Sequence, residues 1–337
     1  MAAASIGQVH AATLASSGLP VAVKIQYPGV ATSISSDLNN LAVLLTASRL
    51  LPRGLYLDKA IANARIELGW ECDYVREAEC AKRFAELLKD DHVFRVPRIV
   101  DEACGPQVLT MERMWGVGAT KLMGKLTQKD RDFIGTELFR LCIREFKEFR
   151  FMQTDPNWTN FLWNAEDKKV FFPPPPSSIF TFHHGRGLTE LLSHTQIELL
   201  DFGASRDFPA HFVDTYCSLL RAGARADRAS ILAHSLTIGY LTGHESRAML
   251  DAHTSSILTL AEPFSVTAPQ VYDFADQTIT SRVRDLIPLM IKERLTPPPE
   301  ENYSLHRKLS GAFLLCARLG SRVRCREVFE RVVGIED

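Results

Sequence analysis

The chain has 337 residues, of which 46% are hydrophobic and 23% are charged, and its formal net charge is −1. This length and apolar content predict one large domain or two lobes with a sizeable core, and they exclude a disordered chain. A net charge this close to zero gives no basic footprint, so nucleic acid is not expected as a partner.

The first third of the chain predicts strands interleaved with helices. Alternating apolar residues indicate four short strands, over residues 4–14, 20–27, 95–100 and 107–112. Apolar residues three and four positions apart predict two helices between them, over 33–50 and about 58–89. Asp58 is the expected cap of the second helix.

After Glu112 the pattern becomes mostly helical. Thr127 and Asp130 have the spacing of a capping box, and a helical stripe of apolar residues follows it. Two strand candidates flank the stretch 161–200, and everything beyond about 208 has helical spacing. The predicted fold class is therefore α+β, with a small β-containing lobe over 1–112 and a larger helical lobe over 113–337.

Two features near the start of the chain suit phosphate binding. The first is a loop of small residues that includes Ala3, Ala4, Ser5 and Gly7, because small side chains let backbone N–H groups approach phosphates closely. The second is Lys24, which follows Val21-Ala22-Val23 and matches the strand whose lysine holds the phosphates of ATP. Such a lysine needs an acidic partner, and the helix over 58–89 offers Glu67, Glu71, Asp73, Glu77 and Glu79.

Two acidic motifs further along have the spacing of a kinase centre. Asp155 precedes Asn160 by five residues, as in the kinase catalytic loop, although Gln153 and Thr154 replace its usual His and Arg. An apolar strand then leads into Asp201-Phe202-Gly203, whose Asp would bind the magnesium that bridges the phosphates. All four features occur in the order of a kinase, which predicts a kinase-like nucleotide site.

These residues closely resemble the UbiB family of atypical kinase-like proteins, and most of all its mitochondrial members that support coenzyme Q biosynthesis. The segments that carry the resemblance are Ala2–His10, Val21–Gly29, Glu71-Cys72-Asp73, Phe151–Phe161, Leu199–Ser205 and Leu305–Leu309. Together they extend over nearly the whole chain except about 170–196. The resemblance implies the atypical, two-lobed kinase-like fold.

The resemblance also implies a role for each site residue, with ATP (or ADP) and Mg²⁺ as cofactors. Lys24 would bind the phosphates with Glu71 as its ion-pair partner, or Glu77 as the alternative. Asp155 would take the position of the catalytic base. Asn160 and Asp201 would bind the metal. The backbone around Glu112 would hold the adenine.

At the level of function, the resemblance implies an ATPase, or a kinase of a small molecule or lipid, that supports ubiquinone biosynthesis. The matrix face of the mitochondrial inner membrane would be its location, and coenzyme Q biosynthetic proteins and a lipid surface its partners. The alternative is a catalytically weak nucleotide-binding scaffold that organises those proteins. No A-P-E segment follows Gly203, which argues against ordinary protein phosphorylation.

Two features depart from the family pattern. A Lys-x-Gly-Gln extension precedes the Ala-rich loop in the family, whereas this chain starts at the loop without a targeting segment; we expect a truncated form, which can be inactive. The other is the segment Val170–Gln196, which contains Pro173–Pro176 and separates Asn160 from Asp201 by 41 residues instead of about 14. Codons for Val and Gln can begin with GT and end with CAG, so a retained in-frame intron is our hypothesis, with a genuine surface insertion as the alternative.

Overall fold

A computed structural model describes residues 2–4, 6–48, 56–164 and 196–334. Its first sheet is antiparallel, in the order β1-β2-β3-β5, and consists of Ala2–Ala4 (β1), Gly7–Thr13 (β2), Pro20–Gln26 (β3) and Val108–Glu112 (β5). Ala2 pairs with Val9 and Ala4 with Gly7, so the predicted loop of small residues is a strand hairpin. The central position of β3 buries Lys24 between two neighbouring strands.

Three helices lie between β3 and β5: α1 (Val30–Ser48), α2 (Leu57–Glu71) and α3 (Tyr74–Leu87). The prediction of one helix over 58–89 was wrong, because Asp73 interrupts it and accepts the backbone N–H of Arg76 as the N-cap of α3. The expected cap at Asp58 was also wrong. The N-cap of α2 is Tyr56, and Asp58 lies in the first turn.

The second sheet has the order β4-β9-β8-β6 and consists of Phe94–Arg95 (β4), Gln196–Leu199 (β9), Phe161–Asn164 (β8) and Val117–Gly118 (β6). The predicted strand over 95–100 is thus shorter and begins one residue earlier. β8 and β9 form an antiparallel hairpin in which Asn164 pairs with Gln196. Gln196 is therefore part of the hairpin, and the rest of the segment 170–196 lies outside the described residues.

Helices make up most of the chain after β6. They are α4 (Ala119–Leu122), α5 (Gln128–Lys147), α6 (Ala210–Ala224), α7 (Arg228–Ile238), α8 (Arg247–Ala261), α9 (Ile279–Glu293), α10 (Glu300–Leu319) and α11 (Cys325–Val333). Two short strand pairs accompany them, Phe151–Gln153 (β7) with Ser205–Asp207 (β10) and Tyr272–Asp273 (β11) with Arg322–Val323 (β12). The capping box of Thr127 and Asp130 begins α5, as predicted.

The core of the helical part is aromatic. Phe139, Tyr216 and Phe313 are fully buried there, and Phe146 packs edge-on against Tyr216. Large aromatic side chains bury much apolar area for each residue that is ordered. This core fixes α5 and α10, which flank the loop after β7. In the described ranges we find no helix long and apolar enough to span a bilayer.

Candidate active site

Lys24 forms a buried ion pair with Glu77. Its Nζ donates to both carboxylate oxygens, at 2.9 Å to Oε1 and 2.8 Å to Oε2. Glu77 lies in the first turn of α3, whose buried residues Tyr74 and Ala78 pack against the first sheet. Burial acts to lower the pKa of Lys24, but the carboxylates of Glu77 and Asp201 together raise it above its ordinary value. Lys24 is therefore held as a cation.

Glu71, the first choice as the ion-pair partner of Lys24, was wrong in that role, and the alternative Glu77 forms the pair. The interruption at Asp73 explains the difference, because Glu71 ends α2 whereas Glu77 lies on the buried side of α3. Glu71 nevertheless lines the same cavity as Lys24. Burial, and then the charges of Asp201 and Asp155, raises the pKa of Glu71.

Asp155 and Asn160 occupy the loop between β7 and β8. One carboxylate oxygen of Asp155 accepts the backbone N–H of Asn157 at 3.1 Å, and the other accepts Nδ2 of Asn160 at 2.8 Å. Asn157 in turn caps the short 3-10 turn Trp158–Asn160. Because the amide nitrogen of Asn160 donates to Asp155, the amide oxygen is the atom of this side chain that could bind a metal.

Asp201 is brought to this loop by the β8–β9 hairpin. The backbone N–H of Leu200 donates to the carbonyl of Asn160 at 2.8 Å, which sets Asp201 beside Asn160. Asp201 has a left-handed φ of 58°, uncommon for a residue other than glycine. This backbone turn directs Oδ2 to within 3.2 Å of Lys24 Nζ, while Oδ1 accepts the N–H of Gly203 at 3.1 Å.

The side chains of Lys24, Glu77, Asp155 and Asp201 meet in one small cavity of about 40 Å³. Its lining is formed by Ile6, Lys24, Glu71, Glu77, Asp155, Asn157, Asp201, Gly203 and Ala204. One buried lysine thus faces several carboxylates from α2, α3 and two loops. Carboxylate and amide oxygens are the ligands that Mg²⁺ prefers. A lysine ammonium beside carboxylate and amide oxygens can bind a polyphosphate together with its metal ion.

Arg76 holds the segment after Asp201 in place. Its guanidinium donates to the backbone carbonyls of Gly203, at 2.8 Å, and of Ser205. The ring of Trp70 stacks on the guanidinium with 4.5 Å between the charge and the ring centroid. A single side chain of α3 therefore ties the helix that carries Glu77 to the loop that carries Asp201.

The support from α10 was missed by sequence reasoning. Gly311 lies so close to Pro156 that a Cβ at this position would stand 2.1 Å from the proline Cβ. The guanidinium of Arg307 contacts Thr154, and Lys308 donates to Gln153 at 3.1 Å. One sequence feature could have indicated this support, namely Gly311 within a strongly helical pattern. Glycine weakens a helix, so its presence there suggests that close packing requires it.

The nucleotide-binding residues predicted near the N-terminus are described only in part. Ala3 and Ala4 lie in β1, and Ser5 is outside the described residues. Gly7 allows a close approach of strands, because a Cβ there would stand 2.2 Å from the carbonyl oxygen of Ile25. Glu112 ends β5, and its carboxylate forms an ion pair with Arg95 at 2.6 Å. The proposed contacts of these residues with a nucleotide stay predictions.

Asp201 and Asn160 are the two residues best placed to bind a metal ion. They lie next to each other across the hairpin and provide one carboxylate and one amide oxygen. No grouping of three or more His, Cys, Asp or Glu side chains able to hold a metal by themselves is found in the described part of the chain. Kinase magnesium is held by such a pair of side chains together with oxygens of the nucleotide.

Comparison with known proteins gives the family of this chain. The model of the ABC1 atypical kinase-like domain matches residues 1–235. The chain is 54% identical over 329 residues to the mitochondrial atypical kinase COQ8 of Schizosaccharomyces pombe, covering 98% of this chain and 49% of that protein. It is 51% identical over 332 residues to the mitochondrial COQ8 of Saccharomyces cerevisiae, covering 98% and 60%. The predicted resemblance to mitochondrial UbiB proteins is confirmed.

A solved structure shows the same fold. The complex of Rv3197 with erythromycin from Mycobacterium tuberculosis matches with a TM-score of 0.69 at 23% identity, covering 99% of this chain and 77% of that chain. This confirms the predicted α+β kinase-like fold. The chain spans about half to three fifths of the length of the curated relatives that it matches.

Proposed function

This chain belongs to the family of ABC1 atypical kinase-like domains, and from that premise we propose that it binds ATP with Mg²⁺ and hydrolyses it or transfers its phosphoryl group to a small molecule or lipid. The observation that carries the proposal is the convergence of Lys24, Asp155 and Asp201 on one cavity, with Asn160 hydrogen-bonded to Asp155 beside it. Each provides a group that phosphoryl transfer needs, and they come from three separate segments of the chain: β3, the loop between β7 and β8, and the segment after β9.

Each side chain has a distinct task in this proposal. Lys24, kept charged by Glu77, neutralises phosphate oxygens. Asn160 and Asp201 would hold Mg²⁺, which supplies positive charge against the charge that develops on the transferred group. Asp155, already accepting two N–H groups through separate oxygens, orients the attacking hydroxyl or water and accepts its proton.

The acceptor is proposed to be something other than a protein. Only six residues separate Gly203 from the start of α6 at Ala210, and they include β10. A kinase that phosphorylates peptides needs a longer segment here to bind its substrate. The short connection favours water, a small molecule or a lipid head group as the acceptor.

We further propose that the chain supports ubiquinone biosynthesis in mitochondria, at the matrix face of the inner membrane with coenzyme Q biosynthetic proteins as partners. The support is that the relatives named above are mitochondrial COQ8 proteins. A catalytically weak nucleotide-binding scaffold in the same pathway is the second candidate, favoured by the alanine-rich hairpin and by Gln153 and Thr154 in place of the usual His-Arg pair.

Magnesium-dependent ATP hydrolysis separates the two candidates. The purified chain, its Asp201→Asn variant and an Asp207→Asn control would be assayed for ADP release, with ATP binding measured separately. Asp207 lies in the same segment, but its carboxylate is on the surface. The enzyme proposal expects a loss of at least a hundredfold in Asp201→Asn alone. If all three proteins bind ATP and release ADP at equal rates, the enzyme proposal is rejected and the nucleotide-binding scaffold is favoured.

A further inference from the structure

A cavity of about 240 Å³ lies within the helical part, between α8, α9 and α10 and beside Tyr240, which follows α7. Its walls are mainly apolar, and Met249, Ile257, Val283, Ile287, Met290 and Ile291 contribute to them. The volume is somewhat below the ~300–1,000 Å³ of pockets for drug-sized ligands, so it suits a compact molecule. Methionine side chains adapt readily to the shape of an apolar ligand.

Several polar groups of the wall are hydrogen-bonded, either to one another or to residues behind the wall. Ser235 donates its hydroxyl to the carbonyl of Ile231 at 2.6 Å, so its oxygen accepts Nε2–H of His253 at 2.8 Å. Tyr240 donates to Asn302 at 2.5 Å. Nε2 of His306 lies 3.1 Å from the hydroxyl of the buried Tyr216. Neither imidazole is paired with a carboxylate in these contacts.

Arg294 is the exception among the lining residues. It follows α9 directly and contributes a guanidinium to the cavity wall. Burial lowers the pKa of Arg294, opposed only by the phenols of Tyr303, Tyr56 and Tyr240. No described carboxylate forms an ion pair with it, whereas many other arginines of the described ranges have such a partner. Arg294 is partly exposed and remains charged, so its guanidinium lines a mainly apolar cavity with no carboxylate of the described residues paired to it.

We propose that this cavity binds a small organic anion, with a carboxylate on Arg294 and a compact apolar body between α8 and α9. A planar guanidinium binds a carboxylate through two parallel hydrogen bonds, and this supplies the counter-ion that the described residues do not. His253 and His306 face the ligand as neutral rings, because burial lowers the pKa of both to about 4. The site is separate from the residues around Lys24.

Octanoate is the probe for this site, with octan-1-ol and octylamine as matched molecules of neutral and opposite charge. Binding to the purified chain would be measured by titration calorimetry and by the shift in unfolding temperature. We expect octanoate to bind at least tenfold more tightly than octan-1-ol, and octylamine more weakly still. Asp201→Asn should bind octanoate normally, so a failure of the proposed catalytic function does not affect this test.

Three variants locate the probe. Arg294→Gln should weaken octanoate at least tenfold, whereas Arg284→Gln, which removes the same charge from an exposed position of α9, should not change it. Ile287→Trp fills the cavity at its rim, where Ile287 is 40% exposed and a larger side chain can be accommodated, and should abolish binding. Equal binding of octanoate and octan-1-ol to the unsubstituted chain would overturn the proposal, and so would octanoate binding that survives Ile287→Trp. The comparison of octanoate, octan-1-ol and octylamine uses only the unsubstituted chain, so it tests the proposal even if Arg294→Gln fails to fold.

Discussion

The ammonium group of Lys24 lies 2.8 Å from Oε2 of Glu77, in a pair that is almost completely shielded from water. Removing one partner of a buried ion pair leaves an uncompensated charge, which typically costs ~3–5 kcal/mol. We predict that Glu77→Gln lowers the free energy of unfolding by about 3 kcal/mol, since Asp201 still offers Lys24 one carboxylate. Thermal and urea unfolding would measure this.

Two controls test whether the partner has been identified correctly. Glu71→Gln removes the carboxylate first chosen from sequence and should cost less than about 1 kcal/mol, because Glu71 holds no ion pair with Lys24. Glu79→Gln removes an exposed carboxylate of the same helix and should have almost no effect. A larger cost for Glu71→Gln than for Glu77→Gln would contradict the pairing.

Arg76 should act on the magnesium step through the Asp201 loop. Arg76→Gln removes the charged donor to the carbonyls of Gly203 and Ser205, so we predict a tenfold or greater rise in the Mg²⁺ concentration for half-maximal ATP hydrolysis. Arg83→Gln, on the exposed side of α3, serves as the control. A merely structural role would lower activity at every Mg²⁺ concentration and would leave its Mg²⁺ dependence unchanged.

The contact between Gly311 and Pro156 predicts an unusual response to alanine. Gly→Ala inside a helix normally stabilises by ~0.5–1 kcal/mol, and Gly69→Ala in α2, where nothing lies near the added Cβ, should do so. Gly311→Ala should instead destabilise by about 1–3 kcal/mol, because the methyl group overlaps Pro156. It should also slow ATP hydrolysis, since Pro156 adjoins Asp155. A stabilised, fully active Gly311→Ala would disprove the close packing.

Stability should fall as the pH drops below neutrality because of His253 and His306. Burial lowers the pKa of each ring from 6.5 to about 4, and nearby Arg294 adds to the effect. Their unfolded forms therefore bind protons first, so this part of the stability is present above pH 6.5 and is lost as the pH falls toward 4. At ~1.4 kcal/mol per unit of pKa, each ring accounts for at most about 3.5 kcal/mol.

Unfolding by urea at pH 7.5, 6 and 5 would measure this slope. His253→Gln and His306→Gln should each flatten it, while His211→Gln, at an exposed position of α6, should leave it as it is. Carboxylates also titrate at low pH, but they are the same in all of these proteins, so differences between the slopes come from the histidines. An unchanged slope in both buried variants would show that neither ring carries the effect.

The β8–β9 register predicts that residues 170–195 can be removed. Asn164 and Gln196 are paired, and the five residues 165–169 would then connect them, a normal length for a hairpin loop. Shortening the connection should stabilise the chain by on the order of 1–2 kcal/mol through the smaller entropy of loop closure. We expect a raised unfolding temperature and unreduced ATP binding; a lowered temperature would count against the insertion hypothesis.

Sequencing of transcripts across codons 169–197 addresses the origin of the segment. A spliced form that joins Lys169 to Ile197 would support a retained intron. Its absence would favour a genuine insertion. Either result is independent of the stability measurement, because the first concerns the gene and the second the hairpin.

Sequence by itself determined the fold class and the order of the motifs, and it predicted Lys24, Asp155, Asn160 and Asp201 as site residues. These depend on local patterns: alternation for the strand that carries Lys24, and fixed spacing for the Asp155–Asn160 loop. The capping box at Thr127 was equally readable, because both of its partners lie within one helical turn. Features of this kind can be predicted without knowing which distant residues come into contact.

Tertiary structure alone decided which carboxylate meets Lys24. Several acidic residues followed at plausible spacing, and the choice of Glu77 depended on Asp73 ending one helix and starting the next. Gly311 and Arg307 support the loop that carries Asp155 from about 150 positions further along the chain, and no local sequence pattern indicates such a contact. The cavity beside Arg294 likewise exists only because three helices and their connecting segments pack around it, and packing of distant segments depends on the shapes of all the side chains together.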